Sequence, residues 1–70
     1  MDHVYSVTEV YGTSTTGIED AIENAVTTSA RTLRNLDWFQ VTEIRGHIAE
    51  GGTIGHYQVG LKLGFRYDKG

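Results

Sequence analysis

Trp38, the single tryptophan of the chain, falls in the run Leu33-Arg34-Asn35-Leu36-Asp37-Trp38-Phe39, where a helical pattern gives way to a strand pattern. Such a junction is an open seam between elements, and a large flat apolar ring there offers a stacking surface to a flat ligand. The other role open to a lone tryptophan is that of an anchor in a core or an interface. Gln58 and Arg45 are polar groups of suitable chemistry: an amide carries one acceptor and two donors, and a guanidinium is a planar fork that suits a phosphate. On a strand the two would ordinarily form a solvated cross-strand pair. His47 and His56, with Glu43 nearby, raise a metal site. Zinc wants three or four ligands held by an outer layer of hydrogen bonds, so these three read more simply as surface residues.

Catalytic constellations are not visible. The chain has no cysteine, no serine set in a nucleophile elbow or spaced tellingly from a histidine and a carboxylate, and no glycine-rich phosphate loop after a strand. The sequence therefore points away from an enzyme.

The elements that must position these residues fit in one domain spanning 1–70. Seventy residues, 39% hydrophobic and 21% charged, describe a globular chain with no room for a second core. So short a domain buries only about 60% of the surface its unfolded chain exposes, and it needs disulfides, a metal or partner subunits to be robust. Without cysteine the first route is closed, which leaves self-association. A formal charge of −3 argues against general nucleic-acid binding. No cationic start precedes an apolar run, and no apolar stretch approaches the ~18 residues of a membrane span, so the expected location is cytoplasmic.

Val4 to Tyr11, rich in valine, tyrosine and threonine, reads as a first strand. A turn-forming cluster at 12–17 follows, with Thr16 and Glu19 spaced as a capping box that opens a helix near Gly17. Ile18, Ala21, Ile22, Ala25, Val26, Ser29, Leu33 and Leu36 then recur every three or four residues, predicting one apolar stripe about five turns long. Glu19, Asp20 and Glu23 near its start and Arg31 and Arg34 near its end follow the order the helix dipole favours, with Asn35 as a left-handed stop. Phe39 to Ile48 and Ile54 to Tyr67 read as a hairpin closed by Glu50-Gly51-Gly52-Thr53.

In the last strand Tyr57, Val59, Leu61, Leu63, Phe65 and Tyr67 share one face, and His56, Gln58, Gly60, Lys62, Gly64 and Arg66 share the other. The loop length sets Arg45 across from Gln58 and His47 across from His56. It also places Trp38 across from Phe65 on the apolar face, unless a bulge near the strand start turns the indole outward. One helix covers only one face of a three-stranded sheet. The polar face is left without a partner, and the long strands have edges that other subunits would cover. A closed symmetric homo-oligomer with the polar face inward is the expected assembly.

Four segments in order carry a resemblance to the dodecins, a family of small flavin-binding proteins: Val10-Tyr11-Gly12-Thr13-Ser14, Thr32-Leu33-Arg34-Asn35-Leu36-Asp37-Trp38-Phe39, Ile44-Arg45-Gly46-His47-Ile48, and Tyr57-Gln58-Val59 with Gly64-Phe65-Arg66. The resemblance implies an α+β fold of strand, helix, strand and strand, its three-stranded antiparallel sheet packed on one long helix and assembled as a hollow homo-dodecamer. It implies flavins held at subunit interfaces, with Trp38 stacked on the isoalloxazine ring and Gln58 bonded to its polar edge. Asp37 is implied for ring or ribityl contacts, Arg45 for phosphate or ribityl contacts, and Arg66 as a further family position.

An aromatic face offset over the indole is worth about 0.5–1.5 kcal/mol beyond buried area, so paired sites would hold a stack that one site alone would not. The arginine fork favours FMN over riboflavin, with FAD also open; some dodecins bind coenzyme A, for which Arg31, Arg34, Lys62 and Arg66 are the basic residues to consider. A flavin shielded on both faces is poorly placed for hydride transfer. The expected role is therefore flavin storage, sequestration and photoprotective quenching. The alternative is a structural or partner-binding homo-oligomer in which Trp38 is an interface anchor.

Overall fold

The computed structural model describes residues 3–67. Within them the order is β1 (Tyr5–Ser14), α1 (Ile18–Ser29), β2 (Leu36–Ile48), a single 3-10 turn at Glu50–Gly52, and β3 (Ile54–Arg66). The strands form one antiparallel sheet in the order β1-β3-β2, so the most regularly alternating strand is the central one. Val59, Leu61 and Leu63 of β3 are fully buried against Ala21 and Ala25 of α1, with Val10, Ile22, Val26 and Leu36 packed around them. No helix among the described residues is long and apolar enough to cross a membrane.

The helix is shorter than its apolar stripe suggests, and it stops at Ser29. Thr27, Thr28 and Ser29 have hydroxyls that compete for backbone groups, and the Thr27 hydroxyl donates back to the Glu23 carbonyl at 2.8 Å. Leu33 and Leu36 keep helical spacing without belonging to the helix; Leu36 opens β2 instead. Arg31 and Arg34 accordingly lie beyond the last turn, which contains no basic residue. Asn35 does take the left-handed conformation, with φ 64°, but it ends the connecting segment rather than the helix.

The helix start is also held differently. Gly17 is the N-cap and has no side-chain cap bond, so the Thr16–Glu19 box does not form. Ser14, at the end of β1, takes over: its Oγ accepts from the backbone N–H of Thr16 at 2.9 Å and of Gly17 at 3.3 Å, and donates to Asp20 Oδ2 at 2.7 Å. The turn is thus tied to the first helical turn by a residue one element earlier. At the other end of the sheet, Gly51 and Gly52 have φ 86° and 82°, positive values that only glycine adopts without strain. Ala49 N–H closes the loop on the Thr53 carbonyl at 2.7 Å.

The helix packs on β1 and β3 and leaves the same face of β2 open. Phe39, Val41 and Ile44 lie beside Leu63, Leu61 and Val59 on that face, yet Phe39 is 51% and Ile44 55% exposed. A continuous apolar strip of this kind marks an interface. Its presence matches the expectation that the monomer relies on further subunits.

Candidate functional site

The face of the sheet turned away from α1 carries the residues of interest, and two bulges decide which ones. At the hairpin end Ile48 pairs with Ile54 rather than Gly55, and from His47 to Glu43 the pairing of β2 with β3 is as expected, with His47 across from His56 and Arg45 across from Gln58. Between Val41 and Glu43 the register shifts, Thr42 being the extra residue, so that Trp38 pairs with Gly64 rather than Phe65. A one-residue shift moves a side chain to the opposite face. Trp38 therefore leaves the core side for the polar side, while Phe39 joins the apolar strip. A second shift, at Asp37, returns Leu36 to the core side across from Phe65.

The indole lies against the backbone of Gly64: a Cβ at that position would overlap Cε2, Cζ2 and Cδ2 of the ring. Gly64 is buried beneath it, and Trp38 remains 39% exposed. One face of the indole is thus supported by the sheet, and the ring is not enclosed by its own subunit. Tyr5, across from Arg66 on β1, stands beside it with ring centroids 6.2 Å apart and planes tilted by 60°. The Tyr5 hydroxyl donates to Asp37 Oδ2 at 2.9 Å. That bond, some desolvation and the Asp37 charge raise the Tyr5 pKa, with Arg66 opposing. Arg66 is exposed, and its backbone N–H bonds the Asn35 carbonyl at 3.1 Å.

A second constellation surrounds Gly60, four residues along β3 from Gly64. The Tyr11 ring and the Thr42 hydroxyl crowd the Gly60 backbone, and Tyr11 donates a hydrogen bond to Glu43 Oε1. The Tyr11 pKa is raised, first by that bond and then by the Glu43 charge. Arg45 lies 5.6 Å above the Tyr11 ring centroid, its Nε–H donates to Gln58 Oε1 at 2.8 Å, and it stands 3.7 Å from Glu43. The Nε–H of Arg45 is thereby engaged with Gln58, while its side chain stays largely exposed.

Trp38, Asp37 and Arg66 meet at one end of the polar face, and Arg45 and Gln58 meet toward the hairpin. Six residues of β3 separate Gly64 from Gln58, roughly 20 Å at strand rise. One chain does not bring the two groups to a single small ligand. Glu43, weighed with the histidines as a metal ligand, is engaged with Tyr11 and Arg45, and the two imidazoles stack on each other with centroids 5.4 Å apart. Among the described residues no group of three histidine, cysteine or carboxylate side chains converges.

Tyr5 is not among the candidate residues of the sequence, and Tyr11, Gly60 and Gly64 appear there only as members of motifs or of the polar face, with no part in a site assigned to them. The alternation of β1, with Tyr5 and Tyr11 six residues apart, and the two glycines four apart on the polar face of β3 were the available signals.

The sequence model of the Dodecin family matches residues 4–68. A dodecin of Thermus thermophilus is 49% identical over 69 residues, with 99% of each chain covered. Among solved structures, the dodecin from Streptomyces davaonensis superposes with a TM-score of 0.92 at 46% identity, covering 99% of this chain and 100% of that one. The dodecin from Streptomyces coelicolor gives a TM-score of 0.90 at 55% identity, covering 99% and 97% respectively.

Proposed function

Because the chain belongs to the dodecin family, we propose that it binds flavin in a hollow homo-dodecamer, stacking the guest between Trp38 side chains at subunit interfaces to store, sequester and photoprotectively quench it. Family membership supports homo-oligomeric assembly, and the uncovered apolar strip of β2 supplies surface for it. The observation that carries the reading is the indole seated on Gly64, supported on one face and exposed on the same side of the sheet as Gln58.

The separation of Trp38 from Gln58 within one chain supports a site shared between subunits. Trp38 from one copy would stack on the ring while the amide of Gln58 from another meets its polar edge. An excited flavin bound there would be an electron acceptor, and the stacked indole of Trp38 would be the donor, which is the chemistry that quenching requires. Asp37 and Arg66 flank the indole and fit ribityl and phosphate contacts, which favours FMN, with riboflavin and FAD as competitors. Arg45, held by Gln58, Tyr11 and Glu43, fits a positioning role with phosphate or ribityl contact second. Coenzyme A would use the exposed Arg31, Arg34, Lys62 and Arg66. We read the protein as a cytoplasmic binding protein and not an enzyme.

Titration of FMN, riboflavin and FAD with the ligand-free protein, read by flavin fluorescence beside the oligomer mass, tests this. Quenching at stoichiometric protein, lost in Trp38→Ala with assembly retained, is the expected result. A second reading, an oligomer that uses Trp38 only as an interface anchor, draws on the same exposed indole. It predicts no quenching in the parent protein and dissociation in the variant.

A further inference from the structure

Beside the indole stands a group that stacking does not use: a phenol already hydrogen-bonded to a carboxylate. Tyr5 Oη donates to Asp37 Oδ2 at 2.9 Å, and its ring lies 6.2 Å from that of Trp38, within the range of directly interacting aromatic pairs. A phenol gives up an electron readily only if its proton leaves with it, and a base at hydrogen-bond distance meets that requirement. The other group close to Tyr5 is the ring of His3, edge-on at 6.4 Å, and Arg66 opposes Asp37 electrostatically. Tyr5, Asp37 and Trp38 therefore form a chain in which electron and proton have separate, adjacent acceptors.

We propose that Tyr5 re-reduces Trp38 after the indole has lost an electron, with Asp37 taking the phenolic proton. The indole cation radical gains one electron and becomes neutral indole; Tyr5 loses one electron and one proton and becomes a neutral phenoxyl radical; Asp37 becomes a carboxylic acid. If the indole has meanwhile released its N–H proton to water, it recovers one from water, and the balance at Tyr5 and Asp37 is unchanged. The initial oxidant is a one-electron oxidant at the exposed indole face, which under the proposed function would be photoexcited flavin. To that extent the relay rests on the flavin reading. It moves the hole off the residue that the guest needs intact; the cycle closes when the one-electron-reduced oxidant returns its electron to the Tyr5 phenoxyl and Asp37 returns the proton, which restores phenol, carboxylate and guest. A phenol is protonated throughout the neutral range, and the bond to Asp37 raises its pKa further, so Tyr5 carries the proton it must donate.

The test uses the ligand-free oligomer and azidyl radicals generated by pulse radiolysis, which oxidise indole in one-electron steps. Transient absorption then follows indole-radical decay and phenoxyl growth. The expected result is matched decay and growth at a rate independent of protein concentration. Growth should vanish in Tyr5→Phe and persist in Tyr57→Phe, whose ring lies far along β3 from Gly64. In Asp37→Asn, which keeps a polar partner but no base, it should slow roughly tenfold or more. Unchanged transfer in Tyr5→Phe overturns the relay, and unchanged transfer in Asp37→Asn overturns the part assigned to the carboxylate. Because no flavin is present, failure of flavin binding in the titration and failure of the relay are separate results.

Discussion

Trp38 is seated on Gly64: the two residues pair across β2 and β3, and the indole occupies the space in which any side chain at position 64 would begin. The ring can lie flat on the sheet only because its cross-strand partner has no Cβ. Gly64→Ala is expected to lift the indole from this seat. Flavin affinity, measured by fluorescence titration, should fall about tenfold or more, and the fold should lose about 1–3 kcal/mol as it does when a tight contact is overfilled. Intrinsic tryptophan emission should shift at the same time. A variant with parental affinity and emission would show that the seat does not set the ring's position.

Two exposed phenols hydrogen-bonded to carboxylates, Tyr5 and Tyr11, are expected to contribute a modest, solvent-screened alkaline limit to stability. Tyr5 and Tyr11 both have folded-state pKa values raised above the ~10 of an unfolded chain, chiefly by bonds to Asp37 and Glu43. Their contribution to stability is therefore fully present below about pH 10 and is lost as the pH rises through the higher folded values. Thermal melts between neutral pH and about pH 11 should show a fall that is smaller in the Tyr5→Phe, Tyr11→Phe double variant. A fall of equal size in that variant assigns the alkaline limit to other groups.

Much of this arrangement was legible in the residues, and the parts that were not share a cause. The alternation of β3 placed Val59, Leu61 and Leu63 inward and Gln58, Lys62 and Arg66 outward, as the structure does, because one long strand with one buried face fixes its own register. Arg45 opposite Gln58 and His47 opposite His56 followed from the loop length alone. Trp38 opposite Gly64 did not, because Thr42 and Asp37 carry no mark in the sequence that makes them bulges; the bulge remained an alternative there. The helix was overextended for a related reason. Leu33 and Leu36 keep a spacing of three that a turn and a strand start can also produce, and the hydroxyl run at 27–29 weighed more than the period. Tyr5 lay outside the candidate site because only the sheet order brings β1 to the indole's side.

Ser14 does the work expected of a capping box at positions 16 and 19. Its hydroxyl serves two backbone N–H groups and Asp20 from a site that is almost fully buried. Ser14→Ala should cost about 1 kcal/mol, the usual scale of lost hydrogen bonds that hold a turn, and lower the melting temperature without changing flavin affinity. Thr16→Ala should change neither quantity appreciably, since the Thr16 side chain makes no cap bond. The reverse ranking of the two variants would restore the box.

The bond from Arg45 to Gln58 fixes which end of the amide faces a ligand. The guanidinium is donor-only, so the atom it meets at 2.8 Å is the amide oxygen, and the NH2 group makes no hydrogen bond to another described residue. Gln58 is thereby presented as a donor, suited to a ring carbonyl. Gln58→Glu keeps an acceptor for Arg45, and even adds charge to the pair, but removes both donors. Flavin affinity should fall by roughly tenfold, the scale of one lost hydrogen bond with its partner left unmatched, while thermal stability holds or rises slightly. Arg45→Ala should also weaken binding, with some loss of stability, because Gln58 and Tyr11 both lose the group that orders them. Parental flavin affinity in Gln58→Glu would mean that the amide meets the ligand through its oxygen or not at all, and the shared site would have to be drawn without it.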